Sequence, residues 1–211
     1  MQFGLTLRRV VLLGTSLVLT ILMLFHPSPY YNVAGELMPI AAWWIALHTI
    51  LFLLVPLMGA ALWMLTAGLE GVVAILSRLA AVLFALFYDA GDAIAGISTG
   101  ILALSAQVGV LGERAAVASI ESLFADPFKT LLFGIGRYAW IVALVMAAVA
   151  LWRAGAPRLP LMLMALPAYL VTFDHAFPFG SLTFGSFFVI AGWIELASGR
   201  LTLAGQHRRV S

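Results

Sequence analysis

Asp89 and Asp92 lie near the middle of a segment, residues 79–104, that is otherwise apolar enough to cross a bilayer. Inserting a carboxylate at that depth costs about 2.5–3.5 kcal/mol, so each needs a cation, a proton or a polar partner beside it. At about 100° per residue, Ala85, Asp89, Asp92, Gly96, Thr99, Gly100 and Ala103 share one face of a helix, and Leu83, Phe87, Ile94, Ile97 and Ile101 share the opposite one. Small residues on the first face let a neighbouring helix come close, and whatever neutralises the aspartates must arrive with it.

His48 and Arg137 are the partners at matching depth. With about 1.5 Å of rise per residue, His48 falls roughly 16 Å from the outer end of its helix, Asp92 roughly 18 Å, Asp89 a little deeper and Arg137 roughly 12 Å. Tyr88, next to Asp89, could relay a proton. His26, Asp174 and His175 sit above this group as an outer vestibule. Two carboxylates and an imidazole suit a cation or a proton, whereas Arg137 with His48 suits an anionic group. His48, Asp89, Asp92 and His175 are the candidate ligands for a divalent metal. The plainer alternative is structural: Arg137 pairs with one aspartate and His48 hydrogen-bonds the other. Such contacts contribute only about 0.6 kcal/mol on average between helices in lipid.

These residues need a membrane-spanning scaffold, and the composition supplies one. Of 211 residues, 64% are hydrophobic and 9% charged, against about 25% charged in a soluble domain. The mean hydropathy is +1.10. The expected fold is all-α: a single domain over 1–211 forming a polytopic bundle of six transmembrane helices near 10–25, 37–66, 79–104, 129–152, 159–173 and 182–203. An amphipathic segment near 113–124, with Val117, Ile120, Leu123 and Phe124 on one side, is expected on the outer surface. The first run is read as a retained helix rather than a signal peptide, because Phe25-His26-Pro27 offers no small-residue cleavage pair. Trp43, Trp44, Trp63 and Trp152 fit an interfacial belt, and Pro56 and Pro167 fall inside helices.

The basic residues orient the bundle. Arg8, Arg9, Arg78, Arg153, Arg158, Arg200, Arg208 and Arg209 fall on one side, against Arg114, Lys129 and Arg137 on or near the other. The positive-inside rule then places both termini in the cytoplasm, consistent with a bacterial inner membrane. Glu195 belongs to the cytoplasmic half, away from the polar face.

Several function classes drop out. A net charge of +2 gives no footprint for nucleic acid. With no cysteine there is no disulfide, thiolate metal site or thiol chemistry. The only lysine, Lys129, lies at a helix end, so no buried amine exists for a retinal-type Schiff base. Three readings stay open: binding or transport of a small solute, proton or cation from the outer side; a metal-dependent intramembrane hydrolase acting on a lipid; and an accessory subunit holding haem or a chlorin on His48 or His26. The expected partners are the lipid bilayer, a small-molecule or ion ligand, and a second copy or a larger membrane complex.

Overall fold

The computed structural model describes residues 2–28, 32–173 and 175–207, and among them there are helices and no strand. Helix α1 covers residues 2–24 with a π-helical turn at Val10–Gly14. Helix α2, Val33–Leu65, contains a 3-10 turn at Met38–Ile40. Helix α3, Val72–Gln107, contains a π-helical turn at Ala93–Ser98. Then follow α4, Glu113–Ala125; α5, Pro127–Arg153; two short helices, α6, Arg158–Leu163, and α7, Ala165–Leu170; and α8, Phe179–His207.

Five helices, α1, α2, α3, α5 and α8, are long and apolar enough to cross a membrane. Their outer surfaces carry exposed Leu53, Leu86, Val142, Val189 and Leu196. Lipid matches such a surface and water does not, so the chain is an integral membrane protein. The expected fifth span, 159–173, is instead broken into α6 and α7. Pro160 and Pro167 explain the break: each lacks an amide hydrogen and sits in the first turn of a new helix, where that hydrogen has no intrahelical acceptor anyway. The carbonyl of Pro167 accepts the buried Trp140 indole N–H at 3.0 Å, tying this irregular segment to α5. Pro56, by contrast, lies inside an unbroken helix.

Helix ends are set by local chemistry. Asn32 caps α2 by accepting from the Gly35 amide at 3.0 Å, and Asp126 caps α5 by accepting from Phe128 and Lys129 amides at 2.7 and 3.0 Å, with Pro127 at the first position. Between α2 and α3, Gly68 and Gly71 adopt φ of 82° and 95°, which side chains disfavour. Arg78 closes the same turn by donating to the carbonyls of Thr66 and Leu69 at 2.8 and 3.1 Å.

Close approach of backbones holds the bundle together, as expected where lipid removes most of the hydrophobic drive. Helix α3 lies between α2 and α5. On its α2 side Gly59 abuts Ala81 and Ala85, and Gly100 receives Ile45 and Trp44; on its α5 side Gly91 meets Phe133 and Gly136 meets Tyr88. Helix α8 runs antiparallel to α1: the Arg8 guanidinium donates to Glu195 at 2.6 Å at one end, while Ser28 donates to the Phe177 carbonyl at 3.4 Å at the other. Helix α4 buries Ala116 and Ile120 against Ala34, Leu37, Ala41, Trp44 and Ala103. Its amphipathic side therefore covers the ends of α2 and α3 rather than facing lipid alone.

Candidate functional site

The face expected on α3 is the buried one: Asp89, Asp92, Gly96, Thr99, Gly100 and Ala103 are buried, and Leu83 and Ile101 are exposed. Directly after Asp92 the helix widens into its π-helical turn, a local change of register common at functional sites. Gly96 in that turn leaves the space into which α2 inserts His48, since a Cβ there would overlap the imidazole. His48 Nε2 lies 3.7 Å from Asp92 Oδ1.

Two further histidines complete the group. His175, in the α7–α8 connection, places Nε2 3.5 Å from the same Asp92 oxygen. His26, just beyond α1, packs edge to face on His175 and His48 with ring centroids 4.7 and 5.1 Å away. The ligating atoms of His26, His48 and His175 all lie within 4.8 Å of one another. His26 and His48 are buried, and His175 is partly exposed.

The hydrogen bonds fix two tautomers. His48 Nδ1 lies 2.9 Å from the Trp44 carbonyl and His26 Nδ1 lies 2.6 Å from the Pro27 carbonyl. A carbonyl only accepts, so each Nδ1 carries the hydrogen and, in the neutral ring, each Nε2 carries the lone pair. Backbone carbonyls on the far nitrogen are the usual outer support of metal-binding imidazoles. Trp44 packs against His48 at a tilt of 43° with ring centroids 4.2 Å apart and donates its indole N–H to Thr99 Oγ1 at 3.3 Å. Trp44 is therefore a buried wall of the site, not a belt residue; Trp43, Trp63 and Trp152 are exposed.

The other expected residues are distributed around this centre. Asp89 is buried one turn along α3 and makes no ion pair with a described residue; its Oδ1 has no hydrogen bond. Tyr88 points toward α5, packing on Phe133 at 5.2 Å and on His175 at 6.1 Å. Arg137 pairs with neither aspartate among the described residues. Its guanidinium lies 5.8 Å from the Phe133 ring, and Phe133 in turn stacks on His175 at 5.7 Å. Arg137 thus belongs to a separate cavity adjoining His175, which it lines together with Lys129 and Phe133 of α5 and Ala95 of α3. Asp174 lies outside the described residues. Glu195 pairs with Arg8 and Arg9 at the opposite end of α1 and α8.

His26, expected in the vestibule above the site, folds its ring into the cluster itself. Lys129, expected at a helix end with no buried amine, is itself buried, and Lys129, Phe133 and Arg137 recur at a spacing of four and so share one face of α5. No protein-family model, curated protein or solved structure matches the chain, so the functional reading rests on these side chains.

Proposed function

We propose that this membrane protein holds a divalent transition metal on His26, His48 and His175 near its outer face and uses it, with Asp92, to activate water for hydrolysis of a substrate drawn from that interface. The observation that carries this reading is the cluster of three imidazoles, two of which reach one buried carboxylate. The ligating atoms of the three rings lie within 4.8 Å of one another, against roughly 3.3 Å between the ligands of a tetrahedral metal, and three rings leave the fourth position for water. Asp92 Oδ1, 3.5 and 3.7 Å from two of the imidazole nitrogens, stands beside that position. With a neutral His48, its Nε2 lone pair faces a carboxylate oxygen, an unfavourable pairing of two acceptors that a cation between them reverses. Three imidazoles and an oxygen donor suit zinc, cobalt, iron or nickel better than calcium or magnesium.

A bound metal of this class lowers the pKa of a coordinated water towards neutrality. Asp92 is placed to accept the proton and return it to the leaving group, so that the water's hydroxyl joins the acyl or phosphoryl centre and its hydrogen joins the departing oxygen or nitrogen.

The membrane orientation completes the proposal. Helix α5 ends at the face opposite the histidines and α8 begins beside them, which supports a sixth crossing by the chain around α6 and α7. Six crossings agree with the bias of basic residues and put both termini in the cytoplasm of a bacterial cell, with the histidines on the outer side.

Elemental analysis of purified protein after incubation with zinc, cobalt or nickel tests the site. About one metal per chain is expected, lost in His26→Ala, His48→Ala and His175→Ala and kept in Asp92→Asn, which removes the proton acceptor. Metal-free wild type, or equal metal in the histidine variants, would overturn the reading. A second reading, passage of the cation across the membrane, is favoured by one observation: Asp89 supplies a second buried carboxylate one turn further along α3.

A further inference from the structure

A cavity of about 400 Å³ adjoins the histidine cluster, walled by Phe124, Lys129, Phe133, Arg137, Tyr138 and His175. It carries two positive charges and no described carboxylate. Lys129 is only 9% exposed, yet among the described residues its ammonium donates only to the Phe124 carbonyl and rests 4.9 Å from the Phe124 ring. Arg137 lies two turns further along α5, over Phe133, with a buried Nε that makes no hydrogen bond. Neither cation forms an ion pair among the described residues. Asp126 is the described carboxylate whose charge reaches Lys129, without an ion-pair contact and with its Oδ1 taken by the helix cap, and Arg137 is half-buried; charge withdrawn from water and only partly compensated makes the cavity fit for an added anion.

The donors indicate which anion. Thr130 and Thr172, also in the wall, donate to the backbone carbonyls of Asp126 and Tyr169 and have no hydrogen to spare. That leaves two ammonium hydrogens, the guanidinium fork and the Tyr138 hydroxyl, with two charges among them. The match is a phosphate ester, which presents several oxygens and up to two negative charges. The shape indicates the rest. From Lys129 to Arg137 the cavity descends roughly 12 Å along α5, from the interface to acyl-chain depth, and its wall continues into Phe133 and Ile141 beside the exposed Tyr138.

We infer that this cavity binds the phosphate of a phosphorylated amphiphile and presents it to the histidine site through their shared wall, His175. The inference rests on the hydrolytic reading for its purpose, but the binding is measurable alone.

Calorimetric titration of the full chain in an uncharged maltoside detergent provides the test, with dioctanoyl phosphatidic acid, inorganic phosphate and dioctanoylglycerol as probes and metal content measured on the same samples. Phosphatidic acid is expected to bind wild type and to weaken at least tenfold in Arg137→Gln and in Lys129→Met. Arg137→Lys, which keeps the charge and loses the fork, should bind more weakly than wild type and more tightly than Arg137→Gln, and its retained binding shows that the helix tolerates replacement. Binding of phosphatidic acid without phosphate identifies a lipid as the source; equal binding of phosphate identifies a soluble phosphate compound, and either supports the anion site. Unchanged binding in both charge-removing variants, or equal binding of dioctanoylglycerol, overturns it. A metal-loaded protein without this selectivity refutes the phosphate cavity alone, whereas selectivity in a protein that takes up no metal refutes the hydrolytic reading alone.

Discussion

The imidazole of His48 lies in the space that a side chain at Gly96 would fill. A glycine on α3 therefore sets how closely an α2 histidine approaches Asp92. Gly96→Ala is expected to displace the ring, lower metal stoichiometry and destabilise the bundle by about 1–3 kcal/mol, the usual cost of overpacking. Elemental analysis and thermal unfolding in detergent check this together; full retention of metal and stability would show that α2 is positioned by other contacts.

Gly134 and Gly136 on α5 are two residues apart and should respond in opposite ways. A Cβ at Gly136 would lie 2.7 Å from the Tyr88 backbone nitrogen, which cannot move without shifting α3, whereas one at Gly134 meets nothing within 4 Å. Gly136→Ala should lower the melting temperature, and Gly134→Ala should leave it unchanged or raise it, since glycine inside a helix costs about 0.5–1 kcal/mol relative to alanine.

Asp126 acts on the cavity through the helix it starts as well as through its charge, which reaches Lys129. Asp126→Ala removes the acceptor for the Phe128 and Lys129 amides and should cost about 1 kcal/mol, and Asp126→Asn, an equally good cap, should restore it. Denaturant titration of the three proteins is the check.

The Arg8–Glu195 pair closes the α1–α8 interface at the end away from the histidines. Because Glu195 is mostly buried and Arg8 partly exposed, Glu195→Gln should cost about 1–3 kcal/mol, between an exposed and a buried pair. Metal stoichiometry should not change. A variant that unfolds more readily but keeps its metal would separate scaffold from site; concurrent loss of metal would mean the two ends are coupled.

Much of the site was legible because a helix converts sequence position into depth and facing. Counting residues from the outer ends put His48 level with Asp92, and the 100° rotation per residue put Asp92 and Gly96 on the buried face of α3. Two kinds of information were not encoded that way. The position of His26 depends on how the chain turns after α1, and that of His175 on the connection into α8, where no periodicity fixes a side chain's direction. Depth also leaves open what a side chain meets at its level: Arg137 matched the aspartates in level but lines the cavity with Lys129 instead. The fifth segment looked like one span by hydropathy, and its two prolines decided otherwise by starting two helices.

Asp89 separates the two functional readings most sharply. It is buried one turn beyond Asp92, outside the histidine cluster, and its Oδ1 has no hydrogen bond. If the metal is held by the three imidazoles for hydrolysis, Asp89→Asn should leave metal stoichiometry at the wild-type value, because the amide replaces a group that ligates nothing. If the metal passes from the histidines to the deeper carboxylate and on through the bundle, the same substitution should abolish uptake into proteoliposomes loaded with a metal-sensitive dye, while equilibrium binding at the outer site persists. Wild-type vesicles that take up metal, and Asp89→Asn vesicles that do not, would favour transport. Vesicles of both kinds that bind metal at the outer face without accumulating it would favour the fixed hydrolytic centre, since a catalytic metal must stay where Asp92 can exchange a proton with its water.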